Sequence, residues 1–188
     1  VIVVTLVILG APVVAASGGE PTTPMPHPQR EDLVGTWRLL SIDILAAGQS
    51  RSDPFYGANC AGLLIYDASG AMSVQIVGHP RVSMPTPSVR GPIGAGDERR
   101  SADAQRARAV LATYYAYFGT WEYDAPTSVV THHVTGSLYP DETGVSYDQQ
   151  VTLTGDRMIF TVRGADESWH RKVWQRVRGA RDVRGDPQ

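Results

Sequence analysis

One cysteine, one lysine and almost no excess of charge mark this chain of 188 residues. Cys60 is alone, so an intrachain disulfide and a thiolate metal cluster are both excluded. Beside a strand start it reads as a small apolar residue and not as a nucleophile. With a net charge of −2, and with aromatics that do not cluster with basic residues, the chain lacks the field and stacking groove that nucleic acid requires. No nucleic-acid partner is expected. Lys172 stands beside sixteen arginines, a bias of composition to which the sequence attaches no chemistry. The G-x-S-x-G, H-E-x-x-H and phosphate-loop patterns are missing, which leaves serine hydrolase, zinc protease and nucleotide hydrolase readings without support. "GPIGAG" (91 to 96) has the wrong glycine spacing for a dinucleotide fingerprint and follows Pro-rich loop, not a strand. Neither a cofactor nor a metal is implied.

A long hydrophobic run is also missing. "VIVVTLVILGAPVVAA" (1 to 16) is uncharged, but Gly10 and Pro12 break it and it is too short for a bilayer core of about 30 Å. No stable membrane span is expected. The small residues Val14 and Ala16 fit a secretory signal cut after Ala16. The expectation is export to a periplasmic or extracellular space; a cytoplasmic location is the alternative if the start is misassigned. Residues 17 to 32, rich in Pro and Gly, read as a disordered linker. The folded domain is expected over 33 to 177, followed by a charged, Gly-rich tail over 178 to 188.

What the domain does contain is alternation. With 42% hydrophobic residues it can bury one substantial core, and eight segments follow the period of a strand: 35 to 42, 62 to 67, 71 to 78, 117 to 124, 128 to 137, 146 to 154, 157 to 163 and 168 to 177. Short links such as "DASGA", "DAPT", "TGD" and "GADE" make neighbours antiparallel. Between the third and fourth strands lies a Pro/Gly-rich loop (79 to 97) and then one helical stretch, "ERRSADAQRARAVLATYYAYF", with Ala104, Ala107, Val110, Leu111 and Tyr114 on one stripe, suited to a lid or plug. Eight strands bury one face each by closing into a barrel, which also removes the sheet edges, or by stacking as two sheets.

The blocks "LVGTWRLLSI", "GLLIYDASGAMSVQI", "AYFGTWEYD", "VTHHVTGSLYP", "LTGDRMIFT" and "VWQRV" resemble, in order and spacing, the bacterial and fungal lipocalin-like domain family over roughly residues 33 to 177. The resemblance implies an all-β, eight-stranded antiparallel barrel of calycin type with one helix and a long loop between strands 3 and 4. It also implies a central cavity for a small hydrophobic or aromatic molecule. Some barrels of this shape instead fold reactive intermediates in natural-product pathways. In lipocalins a Gly-x-Trp opens the first strand and an Arg from the last strand covers the indole, so Gly35, Trp37 and Arg176 are expected to plug the barrel base, the guanidinium contributing ~1 kcal/mol through cation–π attraction.

Alternation also nominates the residues that face inward. In "THHV" the adjacent histidines point to opposite faces and cannot share one ion; Val130, His132 and Val134 form the apolar row, so His132 is the inward one. On neighbouring strands the same rule turns Tyr117, Trp121 and Tyr123, then Tyr147 and Gln149, then Phe160 inward. Tyr66 and Gln75 sit where apolar residues occupy both faces, and either can point in or out. These nine residues, His132 included, are the candidate ligand contacts: an apolar wall with a few polar handles. A fully packed barrel has the same pattern. Three functions remain open. One is a carrier of a hydrophobic molecule; the second is a cofactor-independent isomerase or cyclase with His132 as acid or base, unless His132 is a core imidazole held by its neighbours; the third is a filled barrel that acts only through its surface. The triplet GTW occurs at 35 to 37 and 119 to 121 without continuing similarity, so the two copies are separate devices: Trp37 at the base, Trp121 at the cavity near His132.

Overall fold

The computed structural model describes residues 27 to 83, 97 to 164, 168 to 179 and 182. The leader-like segment, most of the linker, the greater part of the loop at 79 to 97 and most of the tail lie outside the described residues. The chain enters through a helical turn, α1 (Arg30–Leu33). Strands β1 (Gly35–Ala46), β2 (Gln49–Ser52), β3 (Ala61–Tyr66) and β4 (Ala71–Val77) come next. Helix α2 (Asp97–Leu111) leads to β5 (Tyr114–Asp124), β6 (Val129–Ser137), β7 (Ser146–Thr154), β8 (Arg157–Arg163) and β9 (Trp169–Arg176). All pairings are antiparallel in the order β2-β1-β3-β4-β5-β6-β7-β8-β9, and β1 pairs again with β9. That last ladder decides between barrel and sandwich: the sheet closes on itself, with eight strands in the ring.

Closure depends on the length of β1. Its first residues pair with β3 (Gly35 opposite Tyr66, Arg38 opposite Leu63), its last with β2 (Asp43 opposite Ser52, Ala46 opposite Gln49), and almost its whole length with β9. A bulge between Leu39 and Ser41 bends it, as an extra residue in one strand of a pair does. Strand β2 is absent from the sequence reading. Its hairpin turns through Ala47 and Gly48, both at positive φ, and an Ala in that conformation lacks the Asn-Gly or Asp-Gly signature of such turns.

Two further differences concern helices. The sequence pattern carries one helix to Tyr114 and beyond; β5 instead begins at Tyr114, which pairs with Val77, because the aromatic-rich "TYYAYF" gains more on a pleated, half-buried surface. In its final residues α2 is half-buried only at Ala107, Ala109 and Val110, so it neither plugs nor fills the barrel. The plug is α1, at the edge of the segment read as linker. Leu33 is wholly buried there, and its carbonyl accepts the Trp37 indole N–H at 2.9 Å.

The floor of the barrel is built around Trp37. The Arg176 guanidinium lies 4.1 Å from the centre of its ring, donates from Nη1 to the Val34 carbonyl at 2.9 Å and from Nη2 to the Asp32 carbonyl. One side chain from the last strand therefore covers the indole and caps the end of α1. Gly35 is required on two counts: its φ is +137°, and a Cβ there would stand 3.0 Å from Arg176 Nη1. We expect Trp37→Ala to lower the unfolding free energy by about 3–5 kcal/mol and Arg176→Ala by about 2 kcal/mol, read from urea denaturation midpoints. An unchanged midpoint for both would refute this account of the floor.

Candidate functional site

Inside the barrel, alternation delivers the expected rows. Tyr117, Trp121, Val130, His132, Val134, Gln149, Val151, Met158 and Phe160 are buried. Tyr66 also points inward and is buried, whereas Gln75 is on the outer face, exposed, where its Oε1 accepts the Tyr114 hydroxyl at 3.3 Å. Gln75 is thus outside the barrel interior, where Val74 and Ile76 take the inward positions of β4; it borders a separate hollow of about 390 Å³ on the outer face with Ser73, Tyr114 and Phe118.

His132 is the centre of a buried polar cluster and is 1% exposed. Its Nδ1 faces the Tyr117 hydroxyl at 2.7 Å and the Gln149 side-chain nitrogen at 3.1 Å; its Nε2 faces the Tyr66 hydroxyl. Lys172 sets the proton positions. Its ammonium can only donate, and it donates to Gln149 Oε1 at 3.4 Å, which turns the amide nitrogen toward the imidazole. Nδ1 is then an acceptor, Nε2 carries the hydrogen, and that hydrogen goes to the Tyr66 oxygen. Burial, aided by the nearby Lys172 charge and by His133, pushes the His132 pKa down from 6.5 to about 3. Burial raises the phenols of Tyr66 and Tyr117 well above their ordinary value, so the cluster is neutral at ordinary pH.

Trp121 stands opposite His132 in the β5–β6 ladder but belongs to the floor more than to a cavity. It stacks on Tyr66 with ring centres 4.3 Å apart, donates its indole N–H to the Asp67 carbonyl at 3.1 Å, and lies under the Arg30 guanidinium at 4.3 Å. Both GTW tryptophans thus have the same surroundings: a backbone carbonyl for the N–H and an arginine over the face. Gly119 serves a different end from Gly35. It follows a bulge at Phe118, and a Cβ there would stand 1.9 Å from the His133 carbonyl oxygen, so the close strand approach excludes any larger residue.

The free volume lies at the opposite end. A cavity of about 580 Å³ is lined by Ile42, Phe55, Tyr56, Tyr115, Tyr139 and Val162 with the polar groups Asp53, Glu142, His170 and Lys172. A second of about 230 Å³ lies beside Tyr115, Tyr117, Tyr147, Asp148 and Gln149 and shares Val162 and Lys172 with the first. Of the nine candidate contacts, Tyr117, Tyr147 and Gln149 line this space. Tyr66, Trp121, His132 and Phe160 are packed beneath it, and Tyr123 packs against the same core.

The sequence reading did not nominate Asp53, Tyr56, Tyr115, Tyr139, Glu142, His170 or Lys172. For Lys172 and His170 a signal existed: counting back by two from buried Trp174 places both on the inward row of β9. For Asp53 and Glu142 there was none, since they reach the mouth from a loop and from the 3-10 turn at Pro140–Glu142. Asp53 is 6% exposed; its Oδ1 accepts the Phe55 N–H at 2.8 Å and its Oδ2 lies 3.4 Å from His170 Nδ1. Ser168 Oγ is 3.3 Å from His170 Nε2, but Ser168 is itself buried, so this Ser–His–Asp line orders the wall and presents no hydroxyl to the cavity. Glu142 accepts from Tyr115 at 3.1 Å and from Ser137 at 2.7 Å. Among the described residues no group of three or more His, Cys, Asp or Glu is placed to hold a metal ion, and no helix is long and apolar enough to cross a membrane.

A closed antiparallel barrel, plugged at one end and holding an aromatic-lined cavity at the other, defines a class: the small eight-stranded β-barrels with a cavity at one mouth. The chain belongs to the lipocalin-like domain family, whose model matches residues 34 to 177. Among solved structures it is similar to a de novo designed fluorescence-activating β-barrel (10% identity, 78% of this chain and 95% of that one, TM-score 0.37). It is also similar to a redesigned β-barrel (16%, 77% and 91%, 0.36) and to a point mutant of the fluorescent protein UnaG (13%, 79% and 99%, 0.35). No curated protein matches the sequence.

The buried imidazole makes stability depend on pH. Above 6.5 His132 is neutral folded or unfolded and the linkage is absent; as pH falls from 6.5 toward 3 the unfolded chain takes up a proton that the folded chain refuses, and stability is lost. Between pH 7 and pH 4.5 the loss amounts to about 2–3 kcal/mol. Thermal melts of His132→Gln should show a flatter acid limb than the parent, and equal slopes for the two proteins would refute the assignment.

Proposed function

We propose that the protein binds and carries a small hydrophobic or aromatic molecule in the cavity at the open end of its barrel. One observation carries the reading: a cavity of about 580 Å³ that opens at the mouth of the barrel, within the range of ligand sites, walled by aliphatic and aromatic side chains and supplied with a few directed polar groups. The packed floor and the neutral His132 cluster support it by holding the wall rigid without adding charge beneath the ligand. The apolar segment at 1 to 16 supports an exported location for this carrier. The isomerase or cyclase alternative receives no support from His132, since both ring nitrogens already have protein partners and a ligand would meet Tyr117 or Gln149 before the imidazole.

Val162 lines both parts of the space, so a larger side chain there closes them together. We expect purified protein to carry a bound small molecule in native mass spectrometry, and to enhance the fluorescence of 1-anilinonaphthalene-8-sulfonate. Val162→Phe should weaken that dye by about tenfold, the ~1.4 kcal/mol that one clashing ring readily costs. Dye affinity unchanged by Val162→Phe would show that the cavity is not the binding site.

A further inference from the structure

Lys172 is the chain's single lysine, and it occupies the junction of the two cavities. An ammonium has three hydrogens to donate and no acceptor capacity. Among the described residues its one hydrogen bond is the 3.4 Å contact with Gln149 Oε1. Asp53 lines the same cavity, but its carboxylate oxygens are directed to the Phe55 N–H and to His170; Glu142 is engaged with Tyr115 and Ser137. An amine so placed, below the mouth and packed among aromatic and aliphatic side chains, is poorly solvated as a cation. Burial accordingly lowers its pKa, against the opposing pull of Asp53.

Two kinds of ligand group could meet such an amine. A carboxylate would pair with the ammonium but would share the cavity with Asp53 and Glu142, and like charges at close quarters in low dielectric repel strongly. A neutral carbonyl meets no such penalty. Resting on the carrier reading above, we propose that Lys172 holds a hydrophobic aldehyde covalently, as an imine between its Nζ and the aldehyde carbon.

The chemistry balances without any added reactant. The free amine's lone pair attacks the carbonyl carbon, forming the C–N bond as the C=O π pair moves to oxygen; the oxygen takes up a proton and the nitrogen gives up one of its two hydrogens as a proton. The carbinolamine then loses its hydroxyl, protonated, as water while nitrogen releases its remaining hydrogen as a proton, leaving C=N. Amine and aldehyde give imine and water, with no change of oxidation state. His170, Asp53, Glu142 and the Tyr115 hydroxyl face the same space and are the groups able to pass these protons. His132 is screened from it by Gln149.

The test uses the whole protein and trans-cinnamaldehyde, with sodium cyanoborohydride to trap the imine and peptide mass mapping to locate it. With one lysine, the only other amine is the α-amine of the purified chain. The expected result is a single adduct at Lys172 at pH 7, forming at least about tenfold faster than on Nα-acetyl-lysine and absent from Lys172→Arg, with circular dichroism of the variant unchanged. Cinnamyl alcohol, which lacks the carbonyl, should displace 1-anilinonaphthalene-8-sulfonate yet leave no adduct. Displacement by the alcohol with no adduct from the aldehyde, or with one at the α-amine only, overturns the imine while the carrier reading stands. Failure of both molecules to displace the dye or react overturns the two together.

Discussion

The stack of Arg176 on Trp37 is the contact on which the rest of this barrel depends. It joins the last strand to the first, at the place where the sheet must meet itself, and the same guanidinium holds the end of α1 through two backbone carbonyls. Without that cap, the Leu33 side chain and the Trp37 face would open to water at one end of the core. With it, the floor is sealed and the strands are free to diverge toward the mouth. Arg30 over Trp121 repeats the device on β5, so two cation–π contacts, each of ~1 kcal/mol, close the end at which a barrel has no hydrogen-bonded ladder to protect it.

Above that floor the interior changes character in layers. First come Trp37, Trp121, Tyr66, Met158 and Trp174, all buried. Next is the line Lys172, Gln149, His132, Tyr66, a relay of hydrogen bonds in which the imidazole tautomer follows from a lysine one side chain away. Burying so many polar atoms in an apolar barrel is costly unless each is bonded; the neutral His132 is the result. Above it the wall stops touching itself and the cavity begins.

The cavity joins two kinds of surface. Strands supply its apolar and aromatic side, Tyr115, Tyr117, Tyr147 and Val162, and the connections at the mouth supply Asp53, Tyr56, Tyr139 and Glu142. Rigid strands position the wall while the connections at the mouth carry Asp53 and Glu142, an arrangement common to binding sites. Two ionisable side chains come from strands and reach the inner pocket: Asp148 from β7 and Lys172 from β9.

Sequence alone determined the barrel strands and most of the inward rows, because a strand's two-residue period shows directly in the order of side chains; the pairing of Trp37 with Arg176 was implied by the family resemblance that the Gly-x-Trp opening carries. It also set His132 inward and His133 outward. Tertiary structure decided everything that depends on distance along the barrel axis. Alternation says which face a residue takes but not its height, so Trp121 was legible as inward and not as floor, and Tyr117 and Gln149 were not separable from His132 as the ones that reach open space; for Tyr66, with apolar residues on both faces of its strand, even the inward placement came from the structure. Nor does a local pattern specify what arrives from elsewhere: α1 as the plug, Asp53 from a loop, Glu142 from a 3-10 turn. Lys172, one residue among seventeen basic ones, acquired its chemistry only when β9 closed against β1 and placed its amine at the throat of the cavity.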